Sequence, residues 1–504
     1  MGQFGAVARP NAEAFRTMKQ GLLRIEVLPI VLAVLLTPAD AEDWTRFRGP
    51  NGSGVSKDTG FPIQFGRDKN VAWRAPVRKG KSSPVLTPLF VFLTAFEKEK
   101  LFTLCLDRRT GKLVWERALD RPRRQDGSTL NEPASITPVT DGENVYVFFQ
   151  DYGLISYDAA GNVRWKVPLG PFTNTMGLAA SPIIGAGVIV LQIDQQQGSY
   201  IAAFDRGDGE LRWKTPRGEQ DGWATPVLDR MPDGELLVLT AGRGQLGAHL
   251  LENGKRVGSG IGLSPAIVAS PVLDEHTVFA FGYGSESTVP FSDILTTLDK
   301  YHDGQLTADE YGDDAFLVGI AKVEGNRDGI VTKEEWDARF QELMGPSGFW
   351  AFRLERAPGA PSDPSIHLRI LWRYEKDFTG VIPSPLLYKS VLYVVRNGGI
   401  LTALDRETGK VIKTGRLEEA VGGYSASPVA AEGQIFLASE DGKVAVVRAG
   451  RDWNVLAVND IGENCYATPA LSEGQIYLRT DEALYRFGTH DRGLSVPRQT
   501  KAVN

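Results

Sequence analysis

Residues 136–165 read ITPVTDGENVYVFFQDYGLISYDAAGNVRW, and this pattern recurs along the 504-residue chain. The stretch opens on a small residue, Pro138 and an apolar residue, then runs through NVYVFF (144–149) and LISYD (154–158). It turns through Asp158 and Gly161 into a third run that reaches Trp165. Short apolar and β-branched runs bounded by turn residues are the pattern of strands. Asp then Gly makes a tight turn, because Asp bonds its own backbone and Gly accepts positive φ.

The opening phrase returns as SSPVL (Pro84), ITPVT (Pro138), ASPII (Pro182), ATPVL (Pro226), ASPVL (Pro271), PSPLL (Pro385), ASPVA (Pro428) and ATPAL (Pro469). Its spacings are 54, 44, 44, 45, 114, 43 and 41 residues. A period near 44 built from four short strands describes the blades of a propeller, whose small sheets bury their faces against their neighbours. The fold class expected is therefore all-β, an eight-bladed β-propeller. The last unit stops at IYLRTDEALYRFG (476–488) without a Trp-bearing strand, and NVAWRAP (70–76) has the form of the missing one. Pairing the two closes the ring and removes a free sheet edge. Trp73, Trp115, Trp165, Trp213 and Trp372 share one repeat position and are expected to pack between blades, whereas Trp44 and Trp223 lie outside it and are the candidates for ligand stacking.

The turn D-x-x-T-G-x-x-x-W, complete at Asp107, Thr110, Gly111 and Trp115, resembles the repeat of pyrroloquinoline-quinone (PQQ) propellers, the quinoprotein-like β-propellers. The segments WTRFRGPNGSGVS (44–56) and ATPALSEGQIYLRTDEALYRFG (467–488) further resemble exported bacterial PQQ-repeat proteins. The resemblance spans about residues 44–488 apart from one insertion. It implies two functional classes, quinone-dependent dehydrogenases and non-catalytic scaffolds that bind proteins. The dehydrogenases commonly carry an adjacent Cys pair beside the quinone, and this chain has only Cys105 and Cys465, far apart. Five scattered His without a G-x-S-x-G elbow offer no persuasive base or nucleophile, so no catalytic residue is assigned. A protein-binding scaffold is the first reading, and a PQQ-dependent alcohol or sugar dehydrogenase is the alternative. A net charge of −6 argues against a sequence-independent grip on nucleic acid, which needs a surplus of Lys and Arg.

At the N-terminus, IEVLPIVLAVLL (25–36) follows Lys19 and Arg24 and precedes Ala39 and Ala41, the order of a secretory signal peptide. Twelve residues are too few for a transmembrane span. Met18 heads a more ordinary n-region than Met1. The expected destination is the periplasm or the extracellular space, with no stable membrane anchor and no Cys for a lipid. The segments read as a signal peptide (1–41), an N-terminal arm (42–72), a first propeller part (73–284), an insertion (285–347), a second propeller part (348–488) and a tail (489–504). Ring closure brings the units of Cys105 and Cys465 together, which leaves a disulfide open without requiring it.

The spacing of 114 exceeds the period by about 70, and the excess falls between the second and third strands of the fifth unit. There the apolar stripe Phe291, Ile294, Leu295 and Leu298 leads into DKYHDGQLTADE (299–310), and a second stripe leads into EGNRDGIVTKEE (324–335). Both have the length of an EF-hand calcium loop, with Gly304 and Gly329 at position 6 and Glu310 and Glu335 at position 12. The candidate ligands are Asp299, Asp303, Gln305, Thr307 and Glu310 in the first loop, and Glu324, Asn326, Asp328, Ile330, Thr332 and Glu335 in the second. Gln305 and Ile330 stand at position 7, which offers a backbone carbonyl. Tyr301 costs the first loop a ligand at position 3, and Glu324 replaces the usual Asp in the second, which keeps the fuller set. The expectation is Ca²⁺ of millimolar to micromolar affinity mainly in the second loop; a helical pair without metal is the plainer reading. Leu306 and Val331, both at position 8, are expected to exchange a short strand contact.

In an antiparallel blade, loops after the second strand leave on the same face as the blade-to-blade connections. The insertion should therefore stand beside EKEK (97–100), DQQQGS (194–199) and RNGG (396–399), the expected protein-binding face. Gly242, Gly244 and Gly247 spell G-x-G-x-x-G, but no helical pattern follows, so they are read as a hairpin turn.

Overall fold

The computed structural model describes residues 44–124, 130–284, 289–322, 326–357, 365–375 and 382–488. Residues 1–41, expected above to be a signal peptide, the tail 489–504 and Glu324 lie outside them. Among the described residues the strands form eight antiparallel sheets of four strands each. Seven sheets are consecutive in sequence. The eighth joins Val71–Pro76 to the last three strands, with Arg74 opposite Tyr485 and Pro76 opposite Ala483. The closing strand covers the edge of Ala483–Phe487 that would otherwise lie open and completes the four-stranded blade.

Every repeated Pro follows a Ser or Thr, and the structure shows why. The backbone N–H of each of these residues donates to the hydroxyl of the corresponding residue in the next blade. The series runs Ser83 to Thr137, Thr137 to Ser181, Ser181 to Thr225, Thr225 to Ser270, Ser270 to Ser384, Ser384 to Ser427, Ser427 to Thr468, and Thr468 back to Ser83, at 2.9–3.2 Å. These residues are buried, so each hydroxyl is the acceptor that keeps a neighbour's N–H satisfied. Ser270→Ala is expected to cost about 1–3 kcal/mol by orphaning the Thr225 N–H. Urea denaturation measures the loss, and Ser270→Thr, which restores the hydroxyl, should recover most of it.

A second interlock joins blades near the outer strands. Trp115 lies against Gly161 of the next blade and its Nε1 donates to Ala159 O at 2.9 Å. Trp165 meets Gly209 and bonds Arg206 O at 3.2 Å, and Trp73 from the closing strand meets Gly111 and bonds Arg108 O at 3.1 Å. Trp213 and Trp372 repeat the arrangement at Gly254 and Gly409. These glycines have φ of +67 to +78°, and a Cβ at Gly161 would stand 2.6 Å from the Trp115 ring. The turn therefore needs Gly twice, for its backbone and for the neighbour's indole. Blades 4, 6 and 7 break the series, with Gly258, Lys413 and Ala457 at the Trp position. Blade 4 has a steric reason. There a Cβ would meet Ile366 O at 2.7 Å, because the longer outer hairpin of blade 5, Gly348–Arg356 and Ile366–Glu375, fills the space.

Residues 44–56 occupy the middle of the ring. Trp44 O accepts from Leu86 N of blade 1 at 2.9 Å and Thr45 O from Thr140 N of blade 2 at 2.9 Å. Arg46 reaches Pro226 O of blade 4, Asn51 pairs with both backbone groups of Leu228, and Arg48 reaches Pro385 O of blade 6. Gly54 O and Ser56 N bracket Ala430 of blade 7. One segment can touch the innermost strands on opposite sides of the ring only from the central channel. It supplies hydrogen-bond partners to inner edges that would otherwise face open space. Trp44 is accordingly buried, which corrects its reading as a free stacking residue.

Candidate functional site

Between Thr277–Gly282 and Gly348–Arg356 the chain leaves blade 5 for four helices: α1 (Phe291–Leu298), α2 (Ala308–Tyr311), α3 (Ala315–Lys322) and α4 (Lys333–Leu343). Their root is fastened. Ser347 Oγ accepts from Gly284 N at 3.0 Å and donates to Gly284 O, and Ser264 Oγ donates to Pro346 O at 2.6 Å. Phe291, Leu306, Ile320, Val331, Trp336 and Phe340 form a separate small core, with Trp336 and Phe340 rings 4.8 Å apart.

The two loops between these helices have matching backbones. Gly304 and Gly329 at position 6 have φ of +77 and +87°, and His302 and Arg327 at position 4 have φ of +53 and +63°. Leu306 and Val331 form an antiparallel bridge, with N···O distances of 3.0 and 2.8 Å in the two directions. In the first loop, Gly304 N donates to Asp299 at 3.1 Å and Gln305 N to Asp303 at 3.0 Å. Glu310 accepts from Lys300 N and Tyr301 N at one oxygen and from Thr307 N and Oγ1 at the other. The Thr307 backbone N–H, first among these donors, holds its carboxyl below the usual range. In the second loop, Asn326 Oδ1 accepts from Asp328 N at 2.9 Å and Asp328 from Ile330 N at 2.8 Å. Glu335 accepts from Asn326 N at one oxygen and from Thr332 N and Oγ1 at the other. Each position-12 Glu thus doubles as the N3 partner of a capping box, for α2 and for α4. Among the described residues no three His, Cys, Asp or Glu side chains converge on one point suited to a metal ion.

The insertion rests on the connections entering blades 3 and 4. Gly319 of α3 lies against Thr175, where a Cβ would stand 2.6 Å from Thr175 Cγ2. Arg339 of α4 is buried beside Asp221, with Gln220, Trp223, Arg243 and Pro265 around the same small enclosure. Asp221 accepts from Thr175 and Gln196, and burial pushes its pKa up against the pull of these donors and Arg339. Below it, Arg217 is sandwiched by Asp194 at 2.7 Å and Glu219 at 3.6 Å, with all three side chains buried. This polar layer fixes the connection from which Asp221 reaches the insertion. None of Thr175, Asp221 and Arg339 carries a local sequence signal, since they meet only through the tertiary fold.

The sequence profile of the outer membrane protein assembly factor BamB family matches residues 103–299 and 367–492. The chain belongs to that family. The break between the matched segments, 300–366, contains the second loop and all of the first except Asp299. No curated protein matches the sequence. Among solved structures, the chain is similar to a europium-containing methanol dehydrogenase, with 10% identity, 89% of this chain and 98% of that chain covered, and a TM-score of 0.51. It is also similar to BamB from Moraxella catarrhalis (12% identity, coverage 83% and 100%, TM-score 0.48) and to the computationally designed Ika8 protein (11% identity, coverage 82% and 99%, TM-score 0.47). The first of these likenesses shows the propeller fold alone.

Other residues weighed in the sequence also find their places. Trp223 is buried, and its Nε1 donates to Asn174 Oδ1 at 3.0 Å and Gly177 O at 2.9 Å, so it is a structural residue and not a stacking platform. Cys105 and Cys465 are free thiols in different apolar clusters. His249 is a core residue whose pKa burial lowers to about 3. Gly242 and Gly244 flank the hairpin between Leu236–Gly242 and Gln245–Leu250. No helix among the described residues is long and apolar enough to cross a membrane.

Proposed function

We propose that this protein is an exported, non-catalytic scaffold that binds a protein partner on the face carrying the insertion, with Ca²⁺ held by the helical pair as an EF-hand. Membership of the BamB family supports the scaffold reading, since that family is named for an assembly factor. The observation that supports the site is the insertion's contact with Ser264, Thr175 and Asp221, all on connections between blades. The Leu306–Val331 bridge, the left-handed Gly at position 6 and the Glu at position 12 support the calcium reading, mainly in the second loop with its fuller ligand set. Glu324, Asn326, Asp328, Ile330, Thr332 and Glu335 would serve the principal ion; Asp299, Asp303, Gln305, Thr307 and Glu310 are the corresponding set in the poorer first loop. Signal-peptide cleavage after residue 41 would deliver the chain to the periplasm or beyond.

Calorimetry on the metal-stripped protein tests the ion site. A saturable heat with Ca²⁺ in the millimolar to micromolar range is expected, weakened at least about tenfold by Glu335→Gln, which removes the bidentate ligand. No heat overturns the calcium reading. Deleting residues 285–347 tests the face, since the ring should stay folded while the proteins recovered by affinity capture change. Unchanged capture with an intact fold overturns the docking proposal. The same preparation distinguishes the PQQ-dependent dehydrogenase, which alone would acquire a quinone absorbance and reduce a dye with alcohols or sugars.

A further inference from the structure

The arm in the channel brings two arginines into the centre of the ring. Arg48 is fully buried and Arg46 nearly so. Arg46 Nη2 donates to Pro226 O at 2.7 Å, and Arg48 Nη2 donates to Pro385 O at 2.6 Å. These acceptors carry no formal charge. Arg46 Nε, Arg48 Nε and Arg48 Nη1 are buried without any acceptor, as is Trp44 Nε1 two residues upstream. Two other buried arginines have acidic partners, Arg217 between Asp194 and Glu219 and Arg108 at 3.5 Å from Glu473, whereas buried Arg479 meets four uncharged acceptor contacts at Ser82, Thr94 and Arg78 and leaves only its Nε unpartnered. Among the described residues no Asp or Glu pairs with Arg46 or Arg48. Burial lowers the pKa of both to about 9, with Arg46 adding to the effect on Arg48, so both remain charged at neutral pH.

Two guanidinium groups, near enough for Arg46 to lower the pKa of Arg48, are enclosed without counter-charge, which is strongly unfavourable. Their backbone is also held against its preference. Arg48 has φ +61° and Asn51 +45°, within a coil whose Gly49, Gly52 and Gly54 also have positive φ. This conformation is costly for a non-Gly residue such as Arg48.

We propose that the central channel is an anion site, in which Arg46 and Arg48 hold a small inorganic anion, either a halide or a tetrahedral oxyanion, at their unpartnered N–H groups. The ion supplies the missing counter-charge and the missing acceptors together, and it ties the arm to the ring. A water molecule supplies acceptors and no charge.

The test uses the mature full-length chain. Crystals grown with bromide in place of chloride are expected to show an anomalous peak within hydrogen-bond reach of Arg46 and Arg48. In solution, chloride, sulfate and phosphate are compared with a bulky sulfonate at equal ionic strength. A saturable rise in melting temperature of about 5 °C is expected for the anion that fits, and the salt that saturates first separates the halide from the oxyanion. Arg48→Met should abolish that rise. An oxyanion site appears instead as tetrahedral density from sulfate- or phosphate-grown crystals. Equal melting temperatures in every salt, with only water beside the arginines in all crystals, overturn the proposal. The wild-type measurements decide the matter even if the variant fails to fold.

Discussion

Replacing Trp165 with alanine is expected to destabilise the protein by about 3–5 kcal/mol, the cost of emptying a large aromatic site in a packed interface. Trp165 is buried, lies with its ring 5.8 Å from that of Tyr146, and closes over Gly209 of the next blade. Gly209→Ala alone should be destabilising by a comparable route from the other side. Its Cβ would stand 2.7 Å from the indole at a φ of +78°. In the Trp165→Ala background the indole collision disappears, leaving the backbone penalty of about 1 kcal/mol and a 3.0 Å approach to Val167 Cγ2 that the side chain must relax. The double variant should therefore be much more stable than the sum of the singles predicts, a coupling that urea denaturation of the four proteins reads directly. Additive losses would mean that the indole and the turn do not share one interface.

The second large effect is expected from removing residues 44–56. Six hydrogen bonds between this segment and the inner strands at Leu86, Thr140, Leu228 and Ala430 would go, at about 1 kcal/mol net each. The buried Trp44 adds about 3–5 kcal/mol. Water entering the opened channel and the chain entropy no longer lost offset part of this, leaving a loss of about 5–10 kcal/mol. That is most of the stability of an ordinary domain. Amide exchange at Leu86, Thr140 and Ala430 should accelerate even where the ring survives. Unchanged protection there would show that the inner edges are satisfied without the arm.

The propeller was legible in the sequence because its repeat is local. Each unit carries its own turn, its own Pro landmark and its own alternating strands, and these follow from φ preferences and side-chain period within about ten residues. The hydroxyl before every Pro was also present in the sequence, yet its purpose appears only when Thr468 reaches Ser83 across the closure. The insertion was legible for the same local reason, through the spacing of Gly304, Glu310, Gly329 and Glu335.

What the sequence left open involves groups far apart in the chain. Trp44 and Trp223 look alike as unassigned indoles, and only the channel and the Asn174–Gly177 turn show that both are buried. Asp221 and Arg339 meet because α4 folds back onto the blade connections, and Gly258 replaces a Trp because blade 5 extends over it. By itself the sequence determined the blades, their number and the place of the insertion, since these rest on backbone preferences within each repeat. Only the tertiary structure decided that the arm fills the channel and buries Arg46 and Arg48, because burial and charge compensation depend on contacts made from opposite sides of a closed ring.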